Sequence, residues 1–155
     1  MIDKNLVNIL ENISILLELK GENPFKARAY SNAGYIIKSQ QIDVAKLVEE
    51  NTLGNIKGFG KALQTKITDY VKNGKMSYYE KLKQEVPESL IELTKVEGIG
   101  PKKARFLYEQ LGIKSIEELE KACEDNKLLE LKGFGSKLQE KIINSIQHKK
   151  ASTND

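Results

Sequence analysis

A glycine–apolar–glycine segment written three times constrains this chain more than any other feature. Residues 57–67 read K-G-F-G-K-A-L-Q-T-K-I and residues 132–142 read K-G-F-G-S-K-L-Q-E-K-I, identical at eight of eleven positions with an offset of 75. Between them, 97–107 reads E-G-I-G-P-K-K-A-R-F-L, a looser copy. An apolar residue stands two places before the first glycine each time: Ile56, Val96 and Leu131. Repetition of this kind marks one supersecondary unit used again, here a short helical turn, a hairpin and a helix. So tight a connection asks for backbone angles that glycine tolerates, at Gly58, Gly60, Gly98, Gly100, Gly133 and Gly135. The central residue, Phe59, Ile99 or Phe134, is predicted to plug the space between the two helices.

The rest of the chain reads as helix too. Leu6, Val7, Leu10, Ile13, Leu16 and Leu17 recur at steps of three and four and predict an amphipathic helix over 3–20, ended by Gly21. Asn23 caps the next, with Pro24 in its first turn, to about Ser39. Asp43 caps a short helix to about Asn51, and a longer one covers 61–73 before Gly74. Short helical turns over 76–84 and 88–94 are broken by Pro87. Pro101 opens a helix to Leu111, Ser115 and Glu118 form a capping box for 116–125, and the last helix runs over 136–148. Strand alternation is absent, so the class is all-α. The expected organisation is two helical subdomains, 1–85 and 86–150, with a frayed tail at 151–155. Met76, Tyr78 and Tyr79 are expected to pack the link between them. Cys123 is expected to be a small buried residue, and His148 a surface one.

Composition removes several function classes. One cysteine and one histidine exclude an internal disulfide, a cysteine zinc cluster and a histidine-rich metal site. None of the five aspartates forms an Asp-x-Asp pair, so no two-metal nucleotidyl-transfer site is visible. No phosphate loop and no nucleophile elbow occur. The short apolar runs predict no membrane-spanning helix, and Met1-Ile2-Asp3-Lys4 does not read as a signal peptide. An intracellular, cytoplasmic or nucleoid-associated setting is expected.

The net charge of +3 conceals alternation. Residues 56–85 carry seven basic and three acidic groups, and residues 126–155 six and three, whereas 1–55 and 86–125 are net acidic. Local basic segments attract polyanions even on a nearly neutral protein; solvated lysine faces are the plainer alternative. The hairpins favour the first reading. Small residues let a phosphodiester approach the main chain, and the following helix presents its first amides and the positive end of its dipole to it. Lys61, Lys102, Lys103 and Lys137 add charge. Such a site grips backbone and not bases, so the expected function is sequence-independent, salt-sensitive DNA binding. A helical protein-interaction scaffold is the competing reading.

The repeats look like helix-hairpin-helix motifs, and residues 1–148 resemble the N-terminal region of bacterial and archaeal family X DNA polymerases. The resemblance rests on L-L-E-L-K-G-E-N-P-F-K-A-R-A-Y at 16–30, the hairpin at 56–67 and V-E-G-I-G-P-K-K-A-R-F-L-Y-E-Q-L-G-I at 96–113. S-I-E-E-L-E-K-A at 115–122 and the hairpin at 129–142 continue it. It implies a lyase-type domain followed by a tandem-hairpin subdomain acting at gaps, nicks or 5′ ends. It also implies a nucleotidyl-transfer palm as partner, in cis or in trans; the sequence is compatible with a fragment or with a free-standing module.

The resemblance further assigns a lyase nucleophile, which forms a Schiff base on a 5′-deoxyribose phosphate, to Lys66. By helical spacing Lys66 borders the apolar stripe Leu63, Ile67, Tyr70 and Val71, where partial burial would lower an amine's pKa. Against the assignment, the last hairpin carries Lys141 at the same register. Lys26 and Tyr30 match a phosphate-binding pair, with Tyr30 as a core tyrosine the alternative, and Phe25 is placed to stack on a base. Two further pocket lysines of the family fall on Gly54 and Ala62. No organic cofactor is expected. A monovalent cation, K+ or Na+, is implied at each hairpin, held by the carbonyls of Gly54, Ile56 and Phe59, of Thr94, Val96 and Ile99, and of Leu129, Leu131 and Phe134.

Overall fold

A computed structural model describes residues 2–153 of the chain. Helix is the dominant element and no strand forms among them. The order is α1 (Lys4–Lys20), α2 (Pro24–Ser39), α3 (Val44–Glu49), α4 (Lys61–Asn73), α5 (Ser77–Glu85), α6 (Ser89–Thr94), α7 (Pro101–Leu111), α8 (Ile116–Glu124) and α9 (Ser136–Thr153). Single 3-10 turns at Leu53–Asn55 and Leu128–Glu130 precede the first and third hairpins. Short polar side chains set several of the starts. Asp3 accepts the Leu6 amide at 3.0 Å, Asn23 the Phe25 amide at 2.8 Å, and Ser115 the Glu118 amide at 3.1 Å. Glu118 turns back to accept from the Lys114 amide at 3.0 Å. Asn51 and Asn126, also 75 residues apart, both hold φ of +58°, so the structural repeat begins upstream of the hairpins themselves.

The chain divides into two compact units, 1–86 and 87–155, one residue beyond the expected break. In the first unit α1 is the spine: Leu6, Leu10, Ile13, Leu16 and Leu17 are at most 1% exposed. A helix apolar around so much of its circumference needs cover on more than one face. The α2 residues Ala27, Ala33 and Ile37 supply one, and Tyr79 and Leu82 of α5 another. Asn12 Nδ2 donates to the Tyr79 hydroxyl at 3.1 Å, and Asn5 Nδ2 ties α1 to the Tyr70 hydroxyl of α4 at 3.0 Å. Met76 and Tyr79 are both buried, Tyr79 against α1.

In the second unit Leu93, Leu107, Leu119, Leu128 and Ile142 are fully buried, and Phe106 stacks on Phe134 with centroids 6.1 Å apart. Each such side chain contributes on the order of 2 kcal/mol by leaving water. Cys123 is buried, and burial first, with Glu120 and Glu124 nearby, pushes its thiol up to about 11. His148 lies exposed on α9. The last helix does not stop near 148 but runs to Thr153, into the expected tail. No glycine or proline interrupts 136–153, and Lys150 pairs with Glu120 of α8 at 2.7 Å. Positions 154 and 155 of the expected tail lie outside the described residues.

Candidate nucleic-acid interface

Each hairpin closes with the same turn bond. The amide of the central residue donates to the carbonyl three residues back: Phe59 to Ile56 at 3.1 Å, Ile99 to Val96 at 2.9 Å, and Phe134 to Leu131 at 3.1 Å. The central side chains are buried, as a plug between two helices must be. The first glycine of each pair takes the left-handed backbone, with φ of +95° at Gly58, +93° at Gly98 and +88° at Gly133. An L side chain there is strained by about 1–2 kcal/mol.

The second glycines have a different reason. Gly60 and Gly100 are extended, a conformation open to any residue, and Gly135 is not left-handed. A Cβ on Gly60, Gly100 or Gly135 would meet nothing within 4 Å. These positions therefore keep a bare patch of backbone at the surface, directly before a helix. Neither Gly60 nor Gly100 caps its helix with a side chain, so the first-turn amides of α4 and α7 are left to an outside acceptor. Lys61, Lys102, Lys103 and Lys137 are all exposed around these starts.

The middle hairpin differs from the other two on the side of its first glycine. A Cβ on Gly98 would lie 2.8 Å from Leu138 Cδ1, with Ile142 also in contact range, because α9 lies over it. The amide of Glu97 donates to Ser145 Oγ at 2.9 Å, and Lys141 reaches the Glu97 carboxylate at 3.8 Å. Gly58 meets only Ile36, at 3.9 Å, and Gly133 nothing. The signal for this difference stands in the sequence: Glu97 occupies the place that Lys57 and Lys132 hold in the other copies.

The residues proposed for a lyase pocket do come together in the first unit. Lys66 Nζ sits over the Tyr78 ring, 4.5 Å from its centroid, and Tyr78 stacks on Tyr30 at 5.9 Å. Burial holds the Lys66 ammonium below the usual lysine range, and the positive charge of Lys26 pushes the same way. Tyr30 is buried, so its ring belongs to the core, the alternative weighed against a phosphate-binding role; burial first, with the neighbouring Tyr78, pushes its phenol far up. Tyr78 was expected at the link and is instead the platform under the lysine. Lys141, at the equivalent register, is exposed and faces Glu97, so shared register has not meant shared environment. Gly54 and Ala62, where the family's other pocket lysines fall, offer no charge.

Beside the first hairpin, Phe25 is 75% exposed, with the Arg28 guanidinium 4.8 Å from its ring centroid. Phe25, Arg28, Ala29, Asn32, Tyr35 and Gly58 line one shallow groove on this unit. No helix among the described residues is long and apolar enough to cross a membrane.

Comparison with known proteins gives two family matches. Residues 1–76 match the family described as Helix-hairpin-helix domain, and residues 90–148 that described as SAM-like Helix-hairpin-helix tandem. The chain is 39% identical over 143 residues, 92% of its length, to the DNA polymerase/3'-5' exonuclease PolX of Bacillus subtilis (strain 168). It covers 25% of that protein, so it spans about a quarter of the length of the relative it matches.

Proposed function

We propose that this chain, a helix-hairpin-helix protein related to the N-terminal region of a family X DNA polymerase, binds DNA through its backbone phosphates without reading sequence. One observation carries the reading. At each hairpin the second glycine leaves bare backbone open to solvent at the start of a helix, with exposed lysine beside it. A phosphate there meets unpaired amides, a positive helix end and an ammonium together. The hairpins are divided between two separately built units, which favours a substrate offering two stretches of backbone, such as a gapped, nicked or 5′-ended duplex. A polymerase palm, in cis or in trans, is the partner this reading implies.

Binding to gapped, nicked, blunt and single-stranded DNA across a salt series tests it. Affinity should fall steeply with salt, by roughly one unit of log–log slope per phosphate contact. Gly60→Val and Gly135→Val should each weaken binding with helicity unchanged, since neither backbone demands glycine. Indifference to DNA at low salt would return the chain to the scaffold reading.

A second reading is favoured by the Lys66 environment. A partly desolvated amine beside Lys26 and over Tyr78 carries a larger neutral fraction than a surface lysine. On an abasic 5′ end, Lys66 Nζ would add to the C1′ aldehyde and release water, forming a protonated imine. Loss of a C2′ proton would then expel the C3′ phosphate ester, and water would free the lysine. Borohydride trapping decides it: an adduct lost in Lys66→Ala supports a lyase, and no adduct in the unaltered protein ends the reading.

A further inference from the structure

The family resemblance implies a monovalent cation among three carbonyls at each hairpin, and the three copies differ in the side chain beside those carbonyls. Four residues after the second glycine stand Gln64, Ala104 and Gln139 in the first, middle and third copies. In the first, Gln64 Nε2 donates to the Phe59 carbonyl at 2.7 Å. The same amide lies against Gly54, where a Cβ would come within 3.2 Å of both Nε2 and Oε1. The amide group thus fills the space beside two of the three residues whose carbonyls would face an ion, Gly54 and Phe59. The third, Ile56, accepts the Phe59 amide at 3.1 Å. An N–H dipole with its positive end on a carbonyl oxygen answers the same electrostatic need as a cation. An ion at this carbonyl would compete with that donor for the oxygen, and displacing it would strip a part-buried amide of its partner.

The other copies lack this arrangement, each for a visible reason. Leu129 replaces Gly54 in the third copy and carries the Cβ that would crowd such an amide. There Gln139 turns to Asn126 Oδ1 at 3.0 Å and leaves its own Oε1 buried without a partner. In the middle copy Ala104 is fully buried and has no polar atom to give. We infer that Gln64 is a built-in replacement for the cation: the first hairpin completes its carbonyl set with its own side-chain amide and takes no monovalent ion.

Thallium(I), a spectroscopic stand-in for potassium, tests this on the free 155-residue chain by 205Tl NMR titration at constant ionic strength. Because no DNA is present, the outcome is independent of whether the hairpins bind it. Gln64→Ala, which installs the middle copy's residue, should bind one thallium ion more than the unaltered protein. Gln64→Glu, which removes the donor and adds an acceptor, should gain one as well. An unchanged number in both variants overturns the inference. So does a loss in Gln64→Ala, which would make Oε1 of Gln64 a ligand. A measurement on the unaltered protein stands apart from any folding defect in the variants. The side-chain amide resonances of Gln64 should be the same in potassium and in tetramethylammonium chloride, and a selective shift in potassium overturns the inference.

Discussion

The first and middle hairpins share a backbone path and differ in what lies over it. Their leading glycines hold φ of +95° and +93°, and their central residues are buried alike. Over Gly58 there is only the tip of Ile36; over Gly98 lies α9, with Ser145 holding the neighbouring amide. The same local motif is therefore open at its first glycine in one copy and covered there by a neighbouring helix in another, while its second glycine stays exposed in both. A motif match establishes the turn, and only its surroundings establish whether the turn is free to bind.

Gly98→Val should show the largest contrast. It adds left-handed strain to a collision with Leu138, for about 3 kcal/mol of lost stability in the second unit, against about 1–2 kcal/mol for Gly58→Val in the first. Denaturant titration gives both values, and reaction of the buried Cys123 thiol reports opening of the second unit on its own. Equal losses would erase the distinction between the two elbows.

Glu97→Lys comes next. It gives the middle hairpin the lysine that the other copies carry and removes the carboxylate facing Lys141. DNA affinity at low salt should rise, and the salt dependence should steepen by about one phosphate contact. No change would mean that the cover of α9, and not the charge, keeps this elbow from DNA. Lys61→Ala should do the reverse at the open hairpin, reducing the log–log slope by about one.

The smallest effect separates two lysines of equal register. The lowered pKa of Lys66 means that at any pH below the lysine range a larger share of it is neutral than of an ordinary amine. Competitive acetylation near neutral pH should therefore modify Lys66 before Lys141, and the lead should shrink as pH rises toward the lysine range. Tyr78→Ala, by opening the amine to water, should raise its pKa and slow its acetylation. Equal labelling of the two lysines would remove the physical support for a lyase.

Much of this was legible in the residues. Asp3, Asn23 and Ser115 announce their helices because a short polar side chain can satisfy a first-turn amide locally, and Pro24 and Pro101 mark first-turn positions for the same local reason. The turn at Gly58, Gly98 and Gly133 was readable because few residues accept its φ. Of the two reasons the residues offered for the hairpin glycines, a demanding backbone and close approach of a phosphodiester, only the second fits Gly60 and Gly100. Neither takes a left-handed backbone, and the empty space outside them is a tertiary fact that the residue type suggested and only the structure displays. Tyr78 was missed because its role depends on Tyr30 and Lys66, placed beside it by the packing of α2, α4 and α5. The length of α9 was underestimated because part of its support, the Glu120–Lys150 pair, comes from another helix.

The amino-acid order alone determined the helices, the three turns and the positions of their lysines, since each depends on interactions within a few residues. Tertiary structure decided which elbow α9 covers, which lysine loses water, and which hairpin Gln64 fills. Those outcomes depend on desolvation and on atoms brought together from distant helices, and nothing in a local window carries that information.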